Sequence, residues 1–67
     1  MSVKVKVMFY LENRNEIAPK LAHAFAEGRI SRYIVEQIMR GEPIRPKTAK
    51  KVEAAVPEAR FRAVFEE

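Results

Sequence analysis

The 67-residue sequence contains no cysteine and no aspartate, and its only histidine is His23. Without thiols, disulfides and thiolate metal sites are excluded together. One imidazole cannot build a structural zinc site within a single chain. Lack of Asp excludes an Asp-based catalytic triad and an Asp-rich calcium loop. Ser2, Ser31 and Thr48 are the only aliphatic hydroxyls, and none has a histidine partner close in sequence. The expectation is therefore a protein that is not an enzyme, with no catalytic residues, metal, cofactor or small-molecule substrate. Long apolar runs are missing too. The longest uncharged stretches, 7–11 and 21–26, fall far short of the roughly 20 residues a bilayer span needs. The leading Met-Ser-Val-Lys-Val-Lys has no signal-peptide apolar run, so a cytoplasmic protein without membrane contact is expected.

What is present is 48% apolar and 33% charged, the balance of one small folded domain, 1–67. At roughly 0.1 kcal/mol per residue, such a domain holds only a few kcal/mol of stability. Chains of this size usually need a staple. With disulfides and metals excluded, oligomerisation is the expected one.

The charge is unevenly spread. Thirteen cationic against nine anionic side chains leave +4. Residues 28–51 hold Arg29, Arg32, Arg40, Arg45, Lys47, Lys50 and Lys51 against only Glu36 and Glu42, an excess of five positive charges. A basic segment inside a folded domain suits phosphate contact, where neutralisation releases counterions. It equally suits an ordinary solvated face, so charge narrows the partner without naming it.

Proline and glycine divide the chain. Asn15 to Pro19 can open a helix that Gly28 ends, with Ile17, Leu21, Ala24 and Phe25 along one apolar face. Ser31 is a good N-cap and Gly41 a good terminator for a second helix. Its stripe of Ile34, Val35 and Ile38 faces inward, and Arg32, Tyr33, Glu36, Gln37 and Arg40 face outward. After a loop bounded by Pro43 and Pro46, Lys47 to Val56 reads as a third helix, burying Ala49, Val52, Ala55 and Val56. Pro57 either stops it or opens a short helix, 58–67, with Phe61, Val64 and Phe65 on one face. The alternation Ala59, Phe61, Ala63, Phe65 fits a strand as well. At the other end Val3-Lys-Val-Lys-Val7 alternates like a strand, and a helix over about 6–13 is expected to follow it. The whole is expected to be mainly α: a compact four- to five-helix helix-turn-helix domain with a short N-terminal β-strand or extended lead-in.

Ser31-x-x-x-Val35-x-x-Ile38-x-x-Gly41, a proline loop, then Thr48-Ala-x-x-Val52-Glu-Ala-Ala-Val56 resembles the phage repressor and Cro type of helix-turn-helix protein, the lambda-repressor-like domain. The same residues are similar to the headpiece of lac-repressor-type regulators, and Pro57 to Phe65 to the last short helix of the phage-repressor group. The resemblance covers about 17–65, with the helix-turn-helix at about 17–40. Two features depart from it. Arg29 stands where the family usually has glycine, with Gly28 one residue earlier, so the turn is expected to be longer or differently bent. The glutamine that often opens the family's second helix has no counterpart near Ile17 to Lys20.

The resemblance implies a transcriptional regulator that reads double-stranded DNA as a dimer, with a recognition helix at about 31–40 in the major groove. Arg32, Tyr33, Glu36 and Gln37 are then the base-contacting residues; Arg29, Ser31, Arg40, Arg45, Lys47 and Thr48 contact phosphates. Glu36 counts mildly against this, since it repels phosphates unless it accepts from cytosine N4 or orients an arginine. His23, between Leu21 and Phe25, reads as a structural or surface histidine. Two other functions fit the residues. A ribbon-helix-helix repressor would read DNA through Lys4 and Lys6 of the strand 3–7, from a ribbon shared by two chains. A small helical protein-interaction module, of anti-repressor or antitoxin-like kind, would explain Glu36 on the presumed reading face.

Overall fold

The computed structural model describes residues 5–66. Its elements run β1 (Lys6–Leu11), α1 (Arg14–Ala26), α2 (Arg32–Met39), α3 (Pro46–Ala55) and β2 (Phe61–Glu66). Among the described residues no helix is long and apolar enough to cross a membrane.

The expected four- to five-helix domain is corrected: among the described residues three helices form, and the segments expected as first and last helices are strands. Lys6 pairs with Glu66 and Leu11 with Phe61 in an antiparallel two-stranded sheet. The reason is non-local. Either segment satisfies a helical face by itself, but together they place Val7, Phe9 and Leu11 opposite Phe65, Ala63 and Phe61 on one sheet face. Phe9 and Phe61 meet edge to face, centroids 6.4 Å apart, and with Leu11 pack on the core. On the other face Arg62 lies over the Tyr10 ring, 5.5 Å from its centroid. Val3 and Lys4 of the expected strand lie outside the described residues.

The helices stand close to where the sequence puts them. α1 begins at Arg14, earlier than expected, so Pro19 falls past the first turn, and the exposed Asn15 carbonyl lacks the helical N–H it would otherwise receive. Its end is a Schellman closure: Gly28, at φ +75°, donates to the Phe25 carbonyl and Arg29 to the Ala24 carbonyl, both at 2.9 Å. α2 closes the same way through Gly41 (φ +78°), with Gly41 donating to Ile38 and Glu42 to Gln37. Pro46 supplies the first residue of α3, where its missing N–H is harmless.

The core consists of Ile17, Leu21 and Ala24 of α1, Ile38 of α2, Ala49 and Val52 of α3, and Ile30, Ile44, Val56 and Ala59 from the connections. Ile34, Val35 and Ala55 are half-buried around it. Phe25, expected inward, is exposed, since it sits at the margin of the stripe set by Ile17, Leu21 and Ala24.

One buried polar side chain ties the sheet to the helices. Asn13 sits between β1 and α1, and its Oδ1 accepts from the Arg60 N–H at 2.9 Å. Its Nδ2 donates to the Glu58 carbonyl and to Glu16 Oε2, each at 2.9 Å. Asn13→Ala would orphan the Arg60 N–H and the Glu58 carbonyl. At a net contribution near 1 kcal/mol per hydrogen bond, it should cost ~2–3 kcal/mol, a large share of a small domain's total. Urea denaturation should show a correspondingly lower midpoint at unchanged slope.

Candidate nucleic-acid interface

The exposed face of α2 is set by its cap. Ser31 Oγ accepts from the Ile34 N–H at 3.2 Å, which fixes the first turn and sends Arg32 and Tyr33 away from the core. Tyr33 is 67% exposed. Arg32 is exposed and lies 3.8 Å from Glu36 one turn on, beyond hydrogen-bond reach.

Gln37 is placed differently. It is half-buried, and its Nε2 donates to the Pro43 carbonyl at 3.1 Å, bracing the loop between α2 and α3. That loop continues to Ile44, whose backbone exchanges two hydrogen bonds of 2.8 Å with Phe9 of β1. Arg40 is also engaged: Nε and Nη2 donate to Glu42 at 3.1 and 3.3 Å, and this hydrogen bond and charge raise the Arg40 pKa above its ordinary value. Arg29 lies 3.5 Å from Glu27 and donates weakly to the Ala55 carbonyl.

The start of α3 is electropositive. Its first helical bond runs from the Ala49 N–H to the Arg45 carbonyl, and no side chain caps it. The Lys47 and Thr48 amides therefore lie outside the ladder at the positive end of the helix dipole.

Six of the ten sequence-derived residues border two recesses, and Arg32 and Glu36 border neither. Tyr33, Gln37, Arg45 and Thr48 border one recess of about 340 Å³, together with Lys6 and Met8 of β1. Arg29 and Ser31 border another of about 420 Å³, with Phe25, Ile30, Ile34 and Lys51. Lys47 is exposed on α3, and Arg40 is held by Glu42. Lys6 was legible only in the ribbon reading and Met8 in none, because nothing local places β1 beside α2. Strand parity does put Lys6, Met8 and Tyr10 on one face. β1 spends its pairing edge on the chain's own β2, in contrast to a ribbon shared by two chains.

Elsewhere, His23 is exposed and lies 3.2 Å from Glu27. A third recess runs between α1 and the end of α3, closed on one side by the Lys20–Glu58 ion pair. The hydrogen bond from Lys20 holds the Glu58 carboxyl below its ordinary pKa. Among the described residues no three His, Cys, Asp or Glu side chains come together as a metal site. Comparison of the chain with protein-family models, curated proteins and solved structures finds no match.

Gln37→Ala should release the Pro43 carbonyl and loosen the loop that seats Arg45. A loss of about 1 kcal/mol is expected, together with faster hydrogen exchange at the Ile44 amide.

Proposed function

We propose that this chain is a sequence-specific double-stranded DNA-binding regulator that places α2 in the major groove and acts as a homodimer. The observation that carries the reading is the juxtaposition in one recess of Tyr33, from the Ser31-capped start of α2, with Lys6, Arg45 and Thr48, while Arg32 stands exposed beside Tyr33 in the chain. Outward side chains at the start of a short helix suit base edges, and flanking cations and free helix-start amides suit phosphates.

Arg32 is the principal base reader in this proposal, with a guanidinium able to bind guanine O6 and N7. Glu36, 3.8 Å away, is a loose contact that a base edge can displace. Tyr33 supplies an apolar and hydrogen-bonding contact beside it. Gln37 acts mainly through the loop it braces, with its carbonyl oxygen left for a base. Arg45, Lys47 and Thr48 hold phosphates on one side of α2, and Arg29 and Ser31 on the other. Arg40 contributes when a phosphate outcompetes Glu42. One short helix covers few base pairs, and two copies on half-sites about one helical turn apart supply the remaining affinity.

The test is selection of bound sequences from a random duplex library by the purified chain. A two-fold symmetric motif is expected. Arg32→Ala should then relax preference at one position per half-site, at a cost of about 1–3 kcal/mol, while Arg45→Ala should weaken all sequences alike and lower the salt slope by about 1. No recovery at low salt would sink the DNA reading and point to a protein partner for the same face.

A further inference from the structure

β2 has one edge paired and one open. The Phe9 N–H and C=O both turn to Ile44, so the Phe9–Ala63 pair is a non-hydrogen-bonded one between the strands. Parity then directs the backbone groups of Phe61, Ala63 and Phe65 away from β1, to the open edge. None of these three N–H groups has a hydrogen-bond acceptor among the described residues. Ala63 is exposed and Phe65 is 68% exposed. Natural edge strands are commonly blunted by charge, proline or a bulge; β2 has no proline, its charges Arg62 and Glu66 lie on one face, and the three residues whose backbone faces outward are Phe, Ala and Phe.

We propose that this edge pairs antiparallel with the same edge of a second copy, with Ala63 on the two-fold axis. The occupant follows from self-complementarity. In this register all three outward residues pair at once: Ala63 with Ala63, and Phe61 of each copy with Phe65 of the other. Each exposed Phe65 ring is then laid beside a Phe61 that already packs on the core. On the opposite face the register sets Arg60 of each copy, which already lies 3.7 Å from Glu16 of its own chain, against Glu66 of the other, two opposite-charge pairs by symmetry. A register centred on Arg62 instead faces two arginines, and one centred on Val64 leaves Phe61 without a partner among the described residues. The product is a continuous four-stranded antiparallel sheet, β1-β2-β2-β1. This deepens the dimer of the proposed function by naming its surface, but it stands on the strand alone and its test contains no DNA, so the two readings fail separately.

Sedimentation equilibrium of the full chain should show a concentration-dependent dimer. Ala63→Pro removes an N–H that serves only the open edge, leaving the β1–β2 ladder intact. It should weaken self-association at least tenfold while circular dichroism stays unchanged. Ala63→Cys introduces the chain's only thiol at a pair expected ~5.5 Å apart between Cα atoms, within disulfide range. It should oxidise to a linked dimer far faster than Ala22→Cys on the exposed side of α1. A wild-type chain that stays monomeric at millimolar concentration overturns the proposal. So does cross-linking of Ala63→Cys no faster than Ala22→Cys, an arm that decides the matter even should the proline variant fail to fold.

Discussion

The side chain of Asn13 holds together what the rest of the structure depends on. It is the only buried polar residue among those described, and its hydrogen bonds join the end of β1, the start of α1 and the segment entering β2. A two-stranded sheet is marginal in water by itself. Here its far end is locked by an amide that donates and accepts at once, a geometry that aspartate could not reproduce because it cannot donate to the Glu58 carbonyl. The ladder extends past the lock through the Glu12 N–H to the Arg60 carbonyl. With that junction fixed, Phe9, Leu11 and Phe61 close one side of the core.

The position of α2 follows from three local devices acting on that frame. The two glycine closures end α1 and α2 sharply, and Ser31 starts α2 after a connection whose buried member is Ile30. Positive φ at Gly28 and Gly41 is a backbone requirement that other residues meet only at a cost of ~1–2 kcal/mol. Ile44 then pins the α2–α3 loop to β1 by backbone hydrogen bonds, with Gln37 bracing it from the helix side. Arg45 and Thr48 are thereby carried to Tyr33, and Lys6 is brought to the same recess from the other end of the chain. The surface proposed to meet DNA is thus assembled from both strand and helix.

Much of the helical half was legible. Ser31, Gly28 and Gly41 act through their own backbone neighbours, so their caps can be read from a few residues. Ile17, Leu21, Ala24, Ile38, Ala49, Val52 and Val56 are buried as their periodicity indicates. The strands were not legible as a pair. Phe61 and Phe65 suit a helical face and a strand face alike, and only pairing with residues fifty or more positions away decides between them. Asn13 carries no local signal of its role for the same reason: two of its partners, at Glu58 and Arg60, lie at the opposite end of the chain.

By itself the sequence determined the three helices, most of their inward faces and the outward turn of Arg32 and Tyr33, because caps, turn glycines and apolar spacing act over a few residues. Tertiary structure alone decided that both ends become one sheet, that Gln37 and Arg40 are held by their own loop, and that Lys6 joins Arg45 and Thr48. The physical reason is the same in each case. Ladder hydrogen bonds, cross-strand contacts and loop braces form between groups whose proximity exists only after the chain has closed, and no window of neighbouring residues records it.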